Sequence, residues 1–269
     1  GVAIALNALH LNGASLKDAA GNVAAITSSA VASNPAYLVD TTAPSVIITS
    51  DVITLRAGET ANISFTFSEA PDASFAWDGS ASDLSISGGT LSAITGTGLT
   101  RTAVYTPTPS LASGTGSISV TANSYQDAAG NNGSAGGTPS LTLDTLAPTI
   151  SSIALTSSTG ILNAYLNEGD TATVSVSLNE VVNLNLASGS PTLALLVGSS
   201  TVQATYLSGA GSNTLVFTTT IAAGQNDADG IAIALNALSL NGAVLTDAAG
   251  NTSRPASAAV SSNSAYMVD

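Results

Sequence analysis

Cysteine is absent from all 269 residues of the chain, which excludes disulfide staples, thiolate metal sites and thiol nucleophiles. A single histidine, His10, leaves the usual catalytic triads and His-rich metal sites hard to assemble. Bases are nearly missing too. Lys17, Arg56, Arg101 and Arg254 face 17 acids, for a net charge of −13. Four scattered bases make no basic stripe, so binding nucleic acid by neutralising its phosphates is not expected. No apolar run approaches the length of about 18 residues that marks a membrane-spanning helix, so membrane insertion is not expected either. What is present is apolar: 44% of residues are hydrophobic and the mean hydropathy is +0.38. That is enough to build cores despite the charge.

Self-comparison organises the rest. Residues 1–40 and 230–269 align without a gap and are identical at 27 of 40 positions. The later copy is preceded by roughly 85 residues of its own unit, a length compatible with the front of a domain of ordinary size. Residues 1–40 are therefore expected to be the C-terminal part of a unit whose front lies upstream. Two connectors of the form D-T-x-A-P, Asp40–Pro44 and Asp144–Pro148, divide the remainder. Proline holds the residue before it extended, so each connector is expected to be short and stiff, unlike a Gly/Ser linker. The expected organisation is 1–40 (partial), 41–144 (one repeat type) and 145–269 (a second type, shared with 1–40). Each stretch carries the pentapeptide D-A-A-G-N near its close, at 18–22, 127–131 and 247–251.

The period of the hydrophobic pattern is two. Ile63, Phe65 and Phe67 alternate with polar residues, as do Val174, Val176 and Leu178, Ile118 and Val120, and Ile231, Ile233 and Leu235. The strands carrying Phe67 and Leu178 are expected to end at Glu69 and Glu180. Turn signals recur about every ten residues: Gly58, Gly88-Gly89, Asn132-Gly133, Gly169, Asp229-Gly230 and Asn241-Gly242. Many short alternating strands at even spacing predict an all-β fold of sandwich type.

These landmarks together resemble bacterial immunoglobulin-like repeats: the D-T-x-A-P opening, a G-E-T or G-D-T turn, a strand closing in S-E-A or N-E-V, and a late D-A-A-G-N loop. Such repeats make the extender regions of very large secreted adhesins, including those with repeats-in-toxin C-termini. The resemblance implies an all-β chain of tandem Ig-like β-sandwiches joined end to end, at the bacterial surface, often rigidified by calcium at the joints. On that fold the loops gather at two poles. Asp40, Glu69 and Asp127 then share the entry pole of 41–144, with Asp72 nearby. Asp144, Glu180 and Asp247 share that of 145–269. The opposite poles hold Glu59 in the first unit and Glu168, Asp170, Asp227 and Asp229 in the second; Asp269 opens the next connector position.

Crowded carboxylates repel by roughly 1 kcal/mol per pair at 4 Å in water, and about 4 kcal/mol at an effective dielectric of 20. Four bases cannot neutralise such groups, whereas Ca²⁺, which takes six to eight oxygens, can. The expected metal ligands are therefore the twelve acids just named, apart from Asp72. The competing expectation is that Asp in D-A-A-G-N simply caps its own turn. Gln225–Gly230 looks like part of an EF-hand loop, but Gln225 and Asn236 stand where that loop needs acids.

Catalysis is not expected. No G-x-S-x-G elbow is present, His10 is replaced by Ser239 in the other copy, and the acids face no common cleft. Trp77 with Asp78 could form a sugar-stacking platform, against a core or edge position for the ring. Tyr37 and Tyr266 read as packing of the last strand. The leading expectation is a structural extender stiffened by Ca²⁺, its partners being neighbouring repeats of the same chain. The alternatives are a segment of a self-assembling filament, partnered by other copies of the chain, and a glycan- or protein-binding module.

Overall fold

The computed structural model describes residues 1–77, 83–138, 140–253 and 255–269; Asp78 lies outside them. Every described element is a strand, and no helix is long and apolar enough to cross a membrane. Two separate hydrophobic cores form. One runs from Val46 to Leu143, the other from Ile153 to Val268. In each, alternating residues face inward, as in Ala61–Phe67, where Ala61, Ile63, Phe65 and Phe67 are buried and the residues between them are not.

The first unit is a sandwich of two sheets. One is antiparallel, in the order Val46–Ser50, Ala61–Phe67, Thr100–Pro107, Gly89–Leu91; the other joins Leu84–Ser87, Gly114–Val120, Gly136–Gly137, Leu141–Leu143 and Thr54–Leu55. The last two pair in parallel. The second unit repeats this closure, with Tyr165–Leu166 parallel to Met267–Val268. Its strand Thr171–Asn185 does not stop at Glu180 as expected. It pairs with Ser212–Thr220 as far as Ser177, shifts register between Ser177 and Val182, and its far end pairs with Val244–Thr246. Inward alternation survives the shift, with Leu178 and Val182 both buried. With Ile150–Thr159 paired along its other edge, one strand thus serves three partners, a change that hydropathy alone does not signal.

Residues 1–40 carry only the short antiparallel pair Val2–Ile4 and Val31–Asn34. Leu16 is 54% exposed and Val39 76%, whereas their repeat equivalents Leu245 and Val268 are 0% and 1% exposed. The same sequence is covered where strands such as Thr171–Asn185 and Ser212–Thr220 face it.

The connectors are fastened by a pair of correlated positions. Tyr125, two residues before Asp127, is fully buried with its ring edge-on to Phe67 and Phe75. Its hydroxyl donates to the Pro44 carbonyl at 3.3 Å. A side chain at Gly133 would run into the Tyr125 ring. In the second unit the equivalents are Leu245 and Ser253, and the Ser253 hydroxyl donates to the Pro148 carbonyl at 2.6 Å. Tyr with Gly, or Leu with Ser: each pair fills the same space and brings a hydroxyl to the connector proline. Thr145 pins the other end of the second connector. Its amide donates to Leu111 O at 2.7 Å and its hydroxyl to Thr108 O at 2.6 Å.

Gly133→Ala is expected to destabilise the first unit by about 1–3 kcal/mol through overpacking, leaving the melting of 145–269 in place. Pairing it with Tyr125→Leu, which removes the ring, is expected to recover part of that loss. Calorimetric melting of the three proteins checks both.

Candidate metal centre

The D-A-A-G-N loop is one small structure made three times. In each copy the Asp carboxylate turns back on its own loop. Asp18 Oδ1 accepts from the amides of Ala20 and Asn22. Asp127 Oδ1 accepts from Ala129 and Asn131 at 2.8 and 2.9 Å. Asp247 Oδ1 accepts from Asn251 at 2.8 Å. The other oxygen accepts from the Asn side chain, at 2.8, 2.8 and 2.7 Å respectively. The glycine sits at φ +87, +89 and +91 in the three loops, a region where a side chain is costly. The capping expectation is therefore met, and the capped Asp still keeps lone pairs for a further partner.

That further partner has two oxygens waiting beside it. Asp40, Glu69 and Asp127 each bring a carboxylate oxygen within 4.8 Å of the other two, and so do Asp144, Glu180 and Asp247. The connector supplies the first acid, the end or bend of the long strand after the turn the second, and the D-A-A-G-N loop the third. Asp127 and Asp247 are buried, Glu69, Glu180 and Asp144 half-buried, and Asp40 exposed.

The electrostatics show the strain of this arrangement. Burial, and then the charges of Asp40 and Asp127, push the Glu69 carboxyl above its ordinary range. Burial followed by Asp247 does the same to Asp144. Burial, then Asp247 and Asp144, raises Glu180. Asp127 moves the other way because the Asn131 side chain and the loop amides hold its charged form, as Asn22 does for Asp18. Glu69 Oε1 is buried with no hydrogen-bond partner. The single ion pair among the described residues, Arg56 Nε to Glu59 Oε1 at 2.8 Å, involves none of these acids. A buried carboxylate oxygen without a donor, beside two more carboxylates, could be settled by a hard divalent cation or, without one, by a proton.

The remaining candidate ligands sit elsewhere. Glu59 pairs with Arg56, and its Oε2 accepts the Arg56 amide at 3.2 Å across the turn. Asp170 has the same job in the second unit, accepting the Asn167 amide at 2.7 Å; Glu168 is exposed in that turn. Asp227, 3% exposed, accepts from Gly198 and Gly230, so both its oxygens lie on backbone amides. Asp229 accepts from the Ser262 hydroxyl at 2.9 Å, which lowers its pKa, and Asp269 accepts from Asn226 at 3.4 Å. None of these six joins a three-carboxylate group among the described residues. The EF-hand-like stretch is a hydrogen-bonded turn. Trp77 packs half-buried against the core, and its indole N–H donates to Leu91 O at 3.3 Å; this is the edge position, not an open platform.

Sequence reasoning missed the asparagine of D-A-A-G-N. Asn131 reaches Asp40 O at 3.3 Å. Asn251, 2% exposed, reaches both Asp144 O at 3.0 Å and Asp144 Oδ1 at 3.2 Å. The threefold recurrence of the pentapeptide was the available signal.

From connector to connector, residues 40–145 match the sequence model of the bacterial Ig-like domain. The likeness to that family is confined to this segment, less than half of the chain. Several solved structures align with the chain over most of its length. The Escherichia coli adhesin FdeC aligns at 15% identity and TM-score 0.33, over 82% of this chain and 63% of that one. The Yersinia pseudotuberculosis adhesin InvE aligns at 13% and 0.28, over 82% and 58%. Titin domains I67–I69 align at 9% and 0.31, over 84% and 63%. The chain thus spans under two thirds of each. No curated protein matches the chain.

Without metal, a carboxyl whose folded pKa is raised takes up a proton on folding, so stability falls as pH climbs through its range and stays reduced above it. Glu180→Gln is therefore expected to melt higher than the native protein in EGTA at neutral pH. The gap should close below about pH 4, where the native carboxyls are protonated in both states. Paired melting curves across pH check the sign.

Proposed function

We propose that the chain is an extender segment of a bacterial surface protein, a non-enzymatic row of Ig-like units whose connectors are held by Ca²⁺. Asp40, Glu69 and Asp127 would hold one ion, and Asp144, Glu180 and Asp247 the other. The observation that supports this most is the partnerless, buried Glu69 Oε1 within a cluster of like charges. Each cluster includes the first residue of a connector, so the ion would fix the place where one unit leaves another. Thr145, Ser253 and Tyr125 already hold the connector backbone on either side. The cation removes the repulsion that would otherwise open the joint. An extracellular setting agrees with such a design, because exposed modules of this kind bind Ca²⁺ with dissociation constants of about 10⁻⁴–10⁻³ M and need that much free ion.

Each sandwich would add roughly 35–45 Å to the reach of the molecule, from strands of about ten residues at 3.3 Å each plus loops. Low aromatic content and high negative charge suit a stalk that must not adhere to itself.

At about tenfold excess of Ca²⁺ over its dissociation constant, each site is expected to add roughly 1.4 kcal/mol of stability. Small-angle scattering with Ca²⁺ and with EGTA is expected to show a larger maximum dimension with the metal, alongside a higher melting temperature. An unchanged maximum dimension and melting temperature would remove calcium stiffening from the account.

A further inference from the structure

Beyond the ion itself, the second joint contains a direct link between units that the acids do not provide. The hairpin turn Arg56–Glu59 of the first unit lies against the D-A-A-G-N loop of the second. The Ala57 amide donates to Asn251 Oδ1 at 2.7 Å, and Arg56 Nη1 donates to Gly250 O at 3.3 Å. The same Asn251 amide group donates to Asp247 Oδ2 and to the Asp144 carboxylate and carbonyl. One buried side chain therefore touches the carboxylate cluster, the connector and the neighbouring unit at once.

We propose that Asn251 is a positioning residue that locks the preceding unit to the second carboxylate cluster, with the backbone amide of a hairpin turn as its docking partner. The proposal deepens the extender reading, since it names the contact through which the cluster controls the angle between units. The donor is main chain, so the turn needs only its shape. That shape recurs in the second unit. Glu59 N donates to Arg56 O at 3.1 Å with Gly58 at φ +80, and Asp170 N donates to Asn167 O at 3.0 Å with Gly169 at φ +89. In the first of these turns the residue before glycine, Ala57, presents its amide to Asn251.

The test uses the absence of native cysteine. Spin labels on Ser85→Cys and Gln203→Cys, both at exposed positions of different units, report the distance between units by pulsed electron resonance. Ala57→Pro removes the amide donor and sets a ring methylene against Asn251 Oδ1, at a turn position that proline favours; Asn251→Ala removes the whole lock. The labelled parent is expected to give a single narrow distance peak in Ca²⁺, and both variants are expected to lose it. Ca²⁺ affinity in Ala57→Pro should stay at the parent value, because no carboxylate has changed. A narrow peak retained in Ala57→Pro would overturn the proposal, even if Asn251→Ala failed to fold. The calcium reading fails separately, if the parent's distances are the same in Ca²⁺ and EGTA. Loss of the peak in Ala57→Pro under EGTA would still support the lock in that case.

Discussion

Like charges held together by the fold are the constraint from which the rest of this molecule follows. Three carboxylates converge wherever a connector enters a unit, and each comes from a different part of the chain: connector, strand end or bend, and D-A-A-G-N loop. No base among the described residues answers them. Such an arrangement persists only because the surrounding structure over-determines it. The Asp of the loop is capped by amides, the connector prolines are held by a hydroxyl, and the strand bearing Glu180 is committed to three pairings.

The two repeat types show how freely the cores can vary around that joint. Tyr125 with Gly133 and Leu245 with Ser253 are different solutions to one packing problem, and both deliver an oxygen–hydrogen donor to the connector proline. An aromatic cluster lies beneath the first site and aliphatic side chains beneath the second. What does not vary is the loop that carries the acid and its asparagine. The packing can drift as long as volume and the donor are kept, whereas the loop has a single geometry that satisfies its carboxylate.

Much of this could be read from the sequence, for identifiable reasons. Alternation in Ala61–Phe67 and Thr171–Leu178 is a direct consequence of one face being buried, so the all-β class was visible there. The six clustering acids were placed by combining the Ig-like pole geometry with the repeat landmarks. Charge counting alone could not separate them from Glu59, Asp170 or Asp227. Those three sit at turns where a carboxylate caps backbone amides, and a capping acid and a ligand acid look alike in a sequence. The strand continuing past Glu180 was missed because Val181 breaks the alternation at the register shift. The tie between Asn251 and Ala57 was invisible because its donor is a main-chain amide, which leaves no mark in residue identity.

Calorimetric titration with Ca²⁺ tests the central claim most directly. The account predicts saturable binding at two sites per chain, one remaining in Glu69→Gln, and none in the double variant Glu69→Gln/Glu180→Gln. Absence of saturable binding to the native chain, or undiminished binding by the double variant, would contradict it.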